Sequence, residues 1–491
     1  MYKDLRQWLE QVETLGELRV IRGASWDEEI GAIADLAMHQ PGLRPAILFE
    51  DIPGYPAGYR VVNLILSSVN RVCLTANIPA QPDTASLVAV WRQESKKWKP
   101  LEPRWVQDGP VMENVLEGPD VDLRRFPAPM WHPLDGGRYL GTADLVITRD
   151  PDSDWVNMGT YRVMVHDERS MGIFIARGQH GKIHLNKYLE ADRPCPIVLS
   201  FGHDPLLFLC ASLDLPFGLS ELALAGGIRG EPFDVIRGPH TGLPIPVTSE
   251  IVVEGELLPG ETRLEGPFGE WTGYYASAAR PEPVVHVKAI YHRNHPIICG
   301  ACPTKPLAEA SFHRSIIRSA LLMDYLEAAG VPDVRGAWYH EPGGPILLCA
   351  VSIKQRYPGH ARQAGLIASQ CRVNIYMGKY VIVVDDDIDP TNLEDVLWAM
   401  CTRSDPERSI LIFGRSLGGA LEVSTPPDQK LYNSRCVIDA CRPWEWIKDF
   451  PPVLEFRQEV IERVKERWGV IFLNQASSAS PQAARFKELS T

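Results

Sequence analysis

Two glutamates enclose a turn in the segment EGPFGE, which runs from Glu265 to Glu270. Five positions place two side chains about 140° apart on a helix and on opposite faces of a strand. Pro267 fixes its own φ, and Gly266 and Gly269 accept conformations that are closed to other residues. A turn can therefore bring both carboxylates to one point, where they would share a proton or a cation as acid–base chemistry requires. Alternatively, the first glutamate ends a strand, the second begins the next, and both face solvent.

Three other polar side chains of different chemistry occur in separate segments. Asn157 lies in WVNMGTYR, His180 in RGQHGKIH, and Glu221 in SELALAGG. An amide oxygen, an imidazole and a carboxylate suit a Mg- or Mn-class ion that also binds phosphate oxygens. The three residues have no motif spacing, and each has a structural alternative: a backbone contact, a core position and the first turn of a helix, respectively.

Two basic side chains accompany these segments. Arg162 ends WVNMGTYR, which we interpret as one strand, and offers a fork of donors that fits a carboxylate or a phosphate. Lys379 stands at the start of the apolar strand in GKYVIVVDDDIDP, where a lone lysine can reach into a pocket. The chain contains no GxGxxG, Walker A or HExxH motif, so several common enzyme classes lose their main support.

The composition is that of an ordinary globular protein with an acidic balance. The chain has 491 residues, of which 45% are hydrophobic and 23% charged, and its formal net charge is -12. This length predicts two to four domains, and the charge argues against nucleic-acid or anionic-membrane partners. The charged N-terminus is unlike a signal peptide and no run of 18 apolar residues occurs, so we expect a cytoplasmic protein. The ten cysteines are scattered, which predicts buried thiols rather than a disulfide framework.

Hydrophobic periodicity divides the chain into three regions and a tail. Residues 1–105 predict a small N-terminal α+β unit, whose final stretch VWRQESKKWKPLEPRW we expect to be a linker and packing surface. Residues 106–304 carry mostly short strands, which predicts an antiparallel barrel or sandwich. Residues 305–475 alternate helices and strands as in an α/β domain, and residues 476–491 form a polar tail that we expect to be mobile.

Taken in order, five segments resemble the UbiD family of decarboxylases, which use prenylated FMN. These segments are WVNMGTYR, the GQH that ends at His180, SELALAGGIRGEP, EGPFGEWTGYY and GKYVIVVDDDIDPTNLEDVLWAM. The resemblance covers nearly the whole chain and is weakest in the first hundred residues and the C-terminal tail. It implies a multidomain α+β and α/β fold with a small N-terminal α+β unit, a central split β-barrel flavin-binding domain and a C-terminal α/β oligomerisation domain. That architecture agrees with the three regions.

The resemblance also implies roles for single residues. Asn157, His180 and Glu221 match positions that hold a divalent ion, Mn²⁺ or Mg²⁺, against the cofactor phosphate. The residues that match cofactor-binding positions are Asn157, Thr160, Tyr161, Arg162, Gln179, His180, Ser212, Leu213, Glu221 and Lys379. The catalytic network of the family is matched by Arg162, Glu265 and Glu270. Trp155 lies near the position at which the family binds a monovalent cation, K⁺.

The implied function is reversible, non-oxidative decarboxylation of an aromatic or heteroaromatic carboxylic acid. In this interpretation the cofactor accepts the electrons released with CO₂, and Glu270, kept protonated by burial, protonates the substrate carbon. Lys305, His313 and Arg314 are expected beside the substrate, where they either bind a second polar group or face solvent. The implied partners are the small carboxylate and a flavin prenyltransferase that supplies the cofactor, with assembly as a homodimer or homohexamer.

Other functions stay open at this point. The chain is alternatively a carboxylase, or one subunit of a multi-subunit carboxylase. It is also alternatively a non-catalytic flavin-binding or assembly protein, although a mere binder has no need of the proton donor Glu270. A metal hydrolase that uses the acid pair and His180 is disfavoured because the chain lacks a compact ligand motif.

Overall fold

The computed structural model describes residues 2–40, 42, 44–213 and 215–468. The chain divides into two compact units, residues 1–441 and residues 442–491. Within the described residues, no helix is both long enough and apolar enough to cross a membrane. The ten cysteines are free, and seven of them are buried, as the scattered spacing predicts.

The N-terminal region alternates helices with short strands. Its elements are α1 (Leu5–Thr14), β1 (Leu18–Arg22), α2 (Glu29–His39), β2 (Ala46–Glu50), β3 (Arg60–Asn63), α3 (Val69–Thr75) and α4 (Thr84–Ser95). Asp4 caps α1, because its side chain accepts the N–H of Gln7. Strand β1 is parallel to β2, and β2 is antiparallel to β3. The predicted linker is partly wrong: its first six residues end α4, where Trp91 is buried in the core.

The central region is dominated by strands, as predicted. Its elements are β4 (Arg104–Trp105), β5 (Asn114–Glu117), β6 (Tyr139–Gly141), β7 (Leu145–Arg149), β8 (Val156–Gly159), β9 (Val163–Val165), β10 (Ser170–Ile173), α5 (His180–Glu190), β11 (Cys195–Ser200), α6 (Pro205–Ala211), α7 (Glu221–Arg229), β12 (Asp234–Arg237), β13 (Pro244–Pro246), β14 (Ile251–Glu265), β15 (Arg280–His292) and β16 (Ile297–Cys299). One large sheet has the order β6-β9-β10-β15-β14-β11-β7-β8, with β5 beside β15. Strand β16 leaves this sheet and pairs in parallel with β3.

The large sheet curls into a half-barrel. Strands β8 and β9 lie near opposite ends of the strand order, yet only residues 160–162 connect them. A connection of this length spans at most about 14 Å, so the sheet must curl until its two ends approach each other. The prediction of one strand for WVNMGTYR is therefore wrong after Gly159, because the chain there crosses from one end of the sheet to the other. The expected split barrel is confirmed.

The C-terminal region is a five-stranded mixed sheet flanked by helices. Its elements are α8 (Ser311–Ala328), β17 (Val334–Tyr339), β18 (Leu348–Ile353), α9 (His360–Gln370), β19 (Tyr380–Asp385), α10 (Leu393–Arg403), α11 (Pro406–Ser409), β20 (Ile410–Leu417) and β21 (Tyr432–Ala440). The strand order is β17-β18-β19-β21-β20, and the three central strands are parallel. Their apolar runs are buried on both faces, which is typical of α/β sheets. The α/β class expected for this region is confirmed.

One serine of this region lies in a sequence pattern that occurs in hydrolases. The segment GRSLG, Gly414 to Gly418, has the GxSxG form of a hydrolase nucleophile elbow. It lies along the edge strand β20 and continues into a loop, whereas an elbow requires a sharp turn from strand to helix. Ser416 is buried and pairs with Asn433 of β21 in the sheet. The segment is therefore a sheet edge.

The second compact unit, from Arg442 onward, contains α12 (Gln458–Trp468). This helix falls within the last amphipathic stretch of the sequence. The predicted polar tail, residues 476–491, lies outside the described residues.

Candidate active site

Arg162 joins two glutamates in a network of charged hydrogen bonds. Its Nε and Nη2 atoms donate to the two carboxylate oxygens of Glu265, at 2.9 and 2.7 Å. Its Nη1 atom donates to Glu270 Oε1 at 2.5 Å. The Glu265 side chain is fully buried, and those of Arg162 and Glu270 are 7% and 12% exposed. The three residues predicted to be catalytic therefore lie in direct contact.

The turn between the two glutamates is held by a neighbouring loop. Glu265 ends β14, and Gly266 follows with φ +85°, in the left-handed region that favours glycine. The carbonyl of Pro267 accepts the backbone N–H of Gly136 at 2.7 Å. The alternative in which both acids face solvent is wrong, because Glu265 is buried and Glu270 nearly so.

The environment of the network favours a proton on Glu270. Burial raises the pKa of the Glu270 carboxyl, Arg162 acts against this shift, and the nearby charge of Glu265 adds to it. The guanidinium of Arg162 lies over the ring of Phe174, 4.5 Å from its centroid, and 5.2 Å from that of Phe268. These rings exclude water, which strengthens the electrostatic interactions among the charged groups.

The loop that carries Glu270 is also in contact with the C-terminal region. The indole of Trp271 packs so closely on Gly344 that a Cβ there would lie 2.2 Å from Cε3. Lys430 Nζ donates to the carbonyl of Ala276 at 3.1 Å. Burial raises the pKa of Tyr376, and the charge of Glu270 adds to this shift, which places that tyrosine within electrostatic range of the acid. The acid is therefore positioned by both regions.

Glu221 begins α7 and buries its carboxylate against β8. Its Oε2 atom accepts the backbone N–H of Met158 at 2.8 Å. Burial raises the pKa of the Glu221 carboxyl to about 7. This shift is set by burial, against which backbone hydrogen bonds from Met158 and Glu221 act. Such an acid is well suited to bind a cation.

Asn157 belongs to the same strand, β8, and His180 lies beside Trp155, which directly precedes that strand. Asn157 is buried and has an Nδ2 atom without a hydrogen-bond partner in the described part of the chain. His180 begins α5, and its ring lies edge-on to that of Trp155, with centroids 5.0 Å apart. Helices α5 and α7 both begin without a hydrogen bond from the side chain of the capping residue, and a helix start of this kind favours an anion.

These features fit a phosphate group together with a divalent cation. The helix starts offer N–H donors to the phosphate, while Glu221, Asn157 and His180 offer oxygen and nitrogen ligands to the cation. Across the described residues, no group of three or more His, Cys, Asp or Glu side chains is gathered as a metal site. Three ligands leave coordination positions of such an ion open, and phosphate oxygens are ligands that suit those positions.

Three residues predicted near the flavin lie around the start of α5. Thr160 Oγ1 donates to Asp144 Oδ1 at 3.4 Å, and the Tyr161 hydroxyl accepts the N–H of Gly181 at 3.4 Å. Gln179 is exposed and directly precedes the helix. The first two therefore lie where the connection from β8 to β9 passes the helix.

Ser212 and Leu213 follow α6 and are half-buried. The Ser212 hydroxyl lies 3.1 Å from Nε2 of His313 in α8. His313 is fully buried, and burial lowers its pKa to about 3, so the alternative that it faces solvent is wrong. Lys305 is exposed and Arg314 is half-buried, so these three residues do not share one environment.

Lys379 lies at the start of β19, in the C-terminal region. Its Nζ atom donates to Glu422 Oε1 at 2.7 Å and to Ser424 Oγ at 2.9 Å. Glu422 is buried, and its pKa is lowered because hydrogen bonds from Lys379 and Ser424 outweigh the upward effect of burial. A buried acid thus holds the lysine in place directly before the central strand β19.

The sequence reasoning missed Tyr139, which donates its hydroxyl to Glu265 Oε1 at 2.9 Å. It also missed Glu422 as the partner of Lys379. Neither residue stands in a segment with a distinctive pattern: Tyr139 lies in GGRYLGTAD and Glu422 in GGALEVS. Only the folded arrangement reveals their roles.

Comparison with known families identifies the chain. The N-terminal, Rift-related and C-terminal domains of 3-octaprenyl-4-hydroxybenzoate carboxy-lyase match residues 9–90, 104–306 and 311–440, respectively. The chain belongs to the UbiD family of carboxy-lyases. The family predicted from the five segments is therefore confirmed.

Two curated relatives extend over almost the full chain. The pyrrole-2-carboxylic acid decarboxylase of Pseudomonas aeruginosa is 31% identical over 489 residues, which cover 95% of this chain and 97% of the relative. The phenolic acid decarboxylase of Streptomyces sp. (strain D7) is 29% identical over 450 residues, which cover 90% of this chain and 92% of the relative.

Two solved structures have the same fold. The UbiD-class enzyme HmfF from Pelotomaculum thermopropionicum, in complex with FMN, has a TM-score of 0.82 at 28% identity, and the match covers 92% of this chain and 97% of HmfF. The vanillic acid decarboxylase of Sedimentibacter hydroxybenzoicus, in its closed form, has a TM-score of 0.80 at 29% identity, with 95% and 99% coverage.

Proposed function

We propose that this protein catalyses the non-oxidative decarboxylation of an aromatic or heteroaromatic carboxylic acid with prenylated FMN. The observation that carries the proposal is the buried network in which Arg162 contacts both Glu265 and Glu270. When bound, prenylated FMN supplies an electrophilic ring that accepts the electron pair released with CO₂. An evolved form of HmfF is in complex with this cofactor.

Glu270 is the proton donor in this proposal. Its carboxyl is the more exposed of the two acids, and burial raises its pKa, so it can hold a proton near neutral pH. Arg162 orients the carboxyl through a single hydrogen bond. Glu265 takes the other two donors of the guanidinium and stays ionised. The proton can then pass from Glu270 to the substrate carbon that has lost CO₂.

Asn157, His180 and Glu221 hold a divalent cation, Mn²⁺ or Mg²⁺, against the cofactor phosphate. The supporting observations are the buried carboxylate of Glu221, the buried position of Asn157 on β8 and the uncapped starts of α5 and α7. Thr160, Tyr161, Gln179, Ser212, Leu213 and Lys379 complete the cofactor site. A K⁺ ion near Trp155 belongs to the same proposal.

The aromatic substrate class is supported by the relatives. The named substrates of the two curated relatives and the vanillic acid decarboxylase are a pyrrole carboxylate, phenolic acid and vanillic acid, all of them aromatic rings. Phe174 and Phe268 border the network and offer apolar surface to such a ring. The protein assembles as a homodimer or homohexamer in this proposal and receives its cofactor from a flavin prenyltransferase.

The cofactor and the substrate class can be tested together. The chain is expressed with and without a flavin prenyltransferase, its visible spectrum is recorded, and CO₂ release is measured under anaerobic conditions. The acids are pyrrole-2-carboxylate, vanillate, 3,4-dihydroxybenzoate and, as a non-aromatic control, cyclohexanecarboxylate. We expect CO₂ release from at least one aromatic acid and only from protein made with the prenyltransferase. Equal turnover by both preparations would contradict the cofactor, and turnover of the control acid alone would contradict the substrate class.

The proton donor can be tested by Glu270→Gln. We expect kcat for CO₂ release to fall by roughly 10²- to 10⁴-fold, because the amide cannot deliver the proton, while the cofactor spectrum is retained. The matched control is Glu254→Gln, which changes a fully buried glutamate on the same strand as Glu265, outside the network. Full turnover by the Glu270 variant would rule out this residue as the donor.

A further inference from the structure

The two glutamates of the network receive unequal numbers of hydrogen bonds. Glu265 accepts three: two from Arg162 and one, at 2.9 Å, from the hydroxyl of Tyr139. Glu270 accepts one side-chain hydrogen bond, from Arg162. Hydrogen bonds to a carboxylate favour its ionised form, so the third donor adds to the difference between the acids.

Tyr139 is fixed in the geometry that makes this bond. It is the first residue of β6 and is fully buried. Its ring packs on that of Phe268, with centroids 4.2 Å apart. Burial raises the pKa of its hydroxyl far above the usual range, and the charge of Glu265 adds to that shift, so the group remains a donor at every pH of interest.

The location of one proton depends on this asymmetry. Arg162 carries a single positive charge and contacts two acids in a site with little water, so full ionisation of both acids is unfavourable. One proton is then shared by the pair, and it resides on the acid whose ionised form is less stabilised. From the hydrogen-bond count, that acid is Glu270.

We propose that Tyr139 is a positioning residue that keeps Glu265 ionised and thereby keeps the shared proton on Glu270. This inference rests on the proposed function, in which Glu270 delivers that proton. Tyr139 itself acts through Glu265 and has no contact with the acid that reacts.

Other charged or titratable groups that face the pair do not supply the same asymmetry. Asp135 adds negative charge near Tyr139, and its carboxylate accepts the N–H of Gly269. Arg280 acts on Glu270 and would favour its ionised form. His166 lies behind Glu265, where burial lowers the pKa of its imidazole and so favours the neutral form, and Tyr376 is a neutral phenol whose pKa burial raises.

The test uses Tyr139→Phe, which removes the hydroxyl and keeps the ring. Infrared difference spectra between the parent protein and each variant, both free of cofactor, report the carbonyl band of a protonated, buried carboxyl. In the parent protein we expect a band whose frequency Glu270→Asp shifts and Glu265→Asp leaves in place, since aspartate keeps both carboxyl groups in the pair. In Tyr139→Phe we expect part of the intensity to move to a band that a further Glu265→Asp substitution shifts. This measurement requires neither substrate nor turnover.

The kinetic measurement uses the cofactor-loaded enzyme and the best substrate of the panel. We expect kcat of Tyr139→Phe to fall about tenfold with little change in KM, because fewer molecules hold the proton on Glu270. We also expect the acid limb of the kcat–pH profile to move up by about one pH unit. The direction follows because loss of the donor destabilises ionised Glu265, so the doubly protonated pair persists to higher pH.

A matched control exists in Tyr291→Phe. The Tyr291 hydroxyl donates to Glu254 Oε2 at 2.7 Å, and both side chains are fully buried outside the network. This variant removes the same kind of bond and should leave the carboxyl bands of the pair, kcat and the pH profile unchanged.

The outcomes separate the inference from the function on which it rests. If Tyr139→Phe shows the parent's bands, kcat and pH profile, the inference is overturned and Tyr139 only packs. If the parent protein releases no CO₂ from any acid, the proposed function fails, while the infrared result still decides where the proton lies. If Tyr139→Phe and Tyr291→Phe lower kcat equally, the effect is one of stability, and the positioning role is overturned.

Discussion

Two buried arginines of this protein each lie among buried glutamates, but they use their hydrogen bonds differently. Arg71 donates to Glu17 Oε2 at 2.6 Å and lies within electrostatic range of Glu309. Its remaining donors contact the backbone carbonyls of Ile65, Leu64 and Arg44. By contrast, Arg162 directs its side-chain hydrogen bonds to Glu265 and Glu270.

The difference bears on the proposal that the Arg162 network, unlike that of Arg71, moves a proton. Burial lowers the pKa of Arg71, although Glu17 and Glu309 act against this shift. At Arg162 burial also acts downward, but the two carboxylates outweigh it and raise the pKa. Arg71 holds loops of the N-terminal region together through carbonyls that cannot titrate. Arg162 contacts two groups that can, one of which is partly exposed.

The largest contrast is expected from the same substitution at both arginines. Arg162→Lys removes the fork that holds two carboxylates, so we expect kcat for CO₂ release to fall by at least about 100-fold. Arg71→Lys breaks a buried network that does not include Glu265 or Glu270. We therefore expect the free energy of unfolding to fall by about 3 kcal/mol, while the folded protein keeps its kcat. Urea unfolding and CO₂ release are measured on both variants.

The Arg71 variant is the control for loss of stability. A fall in kcat at 20 °C that is equal in the two variants, with both proteins folded, would show that the two networks do not differ in function. Retained kcat in Arg162→Lys would show that a point charge suffices between the acids.

The sequence predicted what depends on local chemistry. The turn at Gly266 follows from residue types and spacing, and the structure contains it. Which groups the turn would meet could not be predicted from spacing, because Glu265 and Arg162 are 103 residues apart and meet only when the sheet curls. The end of β8 at Gly159 has the same origin. The chain leaves the strand there because it crosses to the other end of the curled sheet, and nothing in the local sequence indicates that crossing.

The roles of residues in segments without a distinctive pattern could not be predicted, for the same reason. Tyr139 lies 126 residues from Glu265, in a segment typical of any buried strand. The helical start of the expected linker was missed because the lysines and prolines that follow it resemble a loop, whereas the burial of Trp91 stabilises the helix. The resemblance to a family implies roles that spacing could not indicate, and those roles stay predictions.

Both the Arg71 network and the Arg162 network contain a glutamate whose pKa is raised, so a raised pKa alone does not distinguish them. The effect of such a shift on stability can be tested at Glu309, which lies near Arg71. Burial raises the pKa of the Glu309 carboxyl from 4.5 to about 7, and its Oε2 atom has no hydrogen-bond partner in the described part of the chain. Its contribution to stability is therefore complete below about pH 4.5 and is lost as pH rises through 7. Glu309→Gln has no such loss. We expect the difference in free energy of unfolding, variant minus parent, to rise by about 3 kcal/mol between pH 4.5 and pH 8.

The measurement is urea unfolding of the parent and the variant over that range. Stability curves that stay parallel would show that Glu309 is ionised throughout and that Arg71 balances its charge. Because Glu309 has no role in the proposed reaction, kcat of the variant should equal that of the parent at each pH.

The smallest effects are expected at two glycines of left-handed conformation, Gly16 in the N-terminal region and Gly266 in the central region. Gly266 has φ +85° and follows Glu265 in the turn that leads to Glu270, while Gly16 has φ +73° and joins α1 to β1. A Cβ at Gly266 meets its nearest atom at 3.7 Å and one at Gly16 meets none within 4 Å, so the cost of alanine is backbone strain, about 1 kcal/mol in each case. We expect equal loss of stability in urea, but a several-fold lower kcat only in Gly266→Ala, because a small shift of the turn misplaces Glu270. Unchanged kcat in that variant would mean that the contacts of the loop with the C-terminal region, rather than the turn itself, fix the position of the acid.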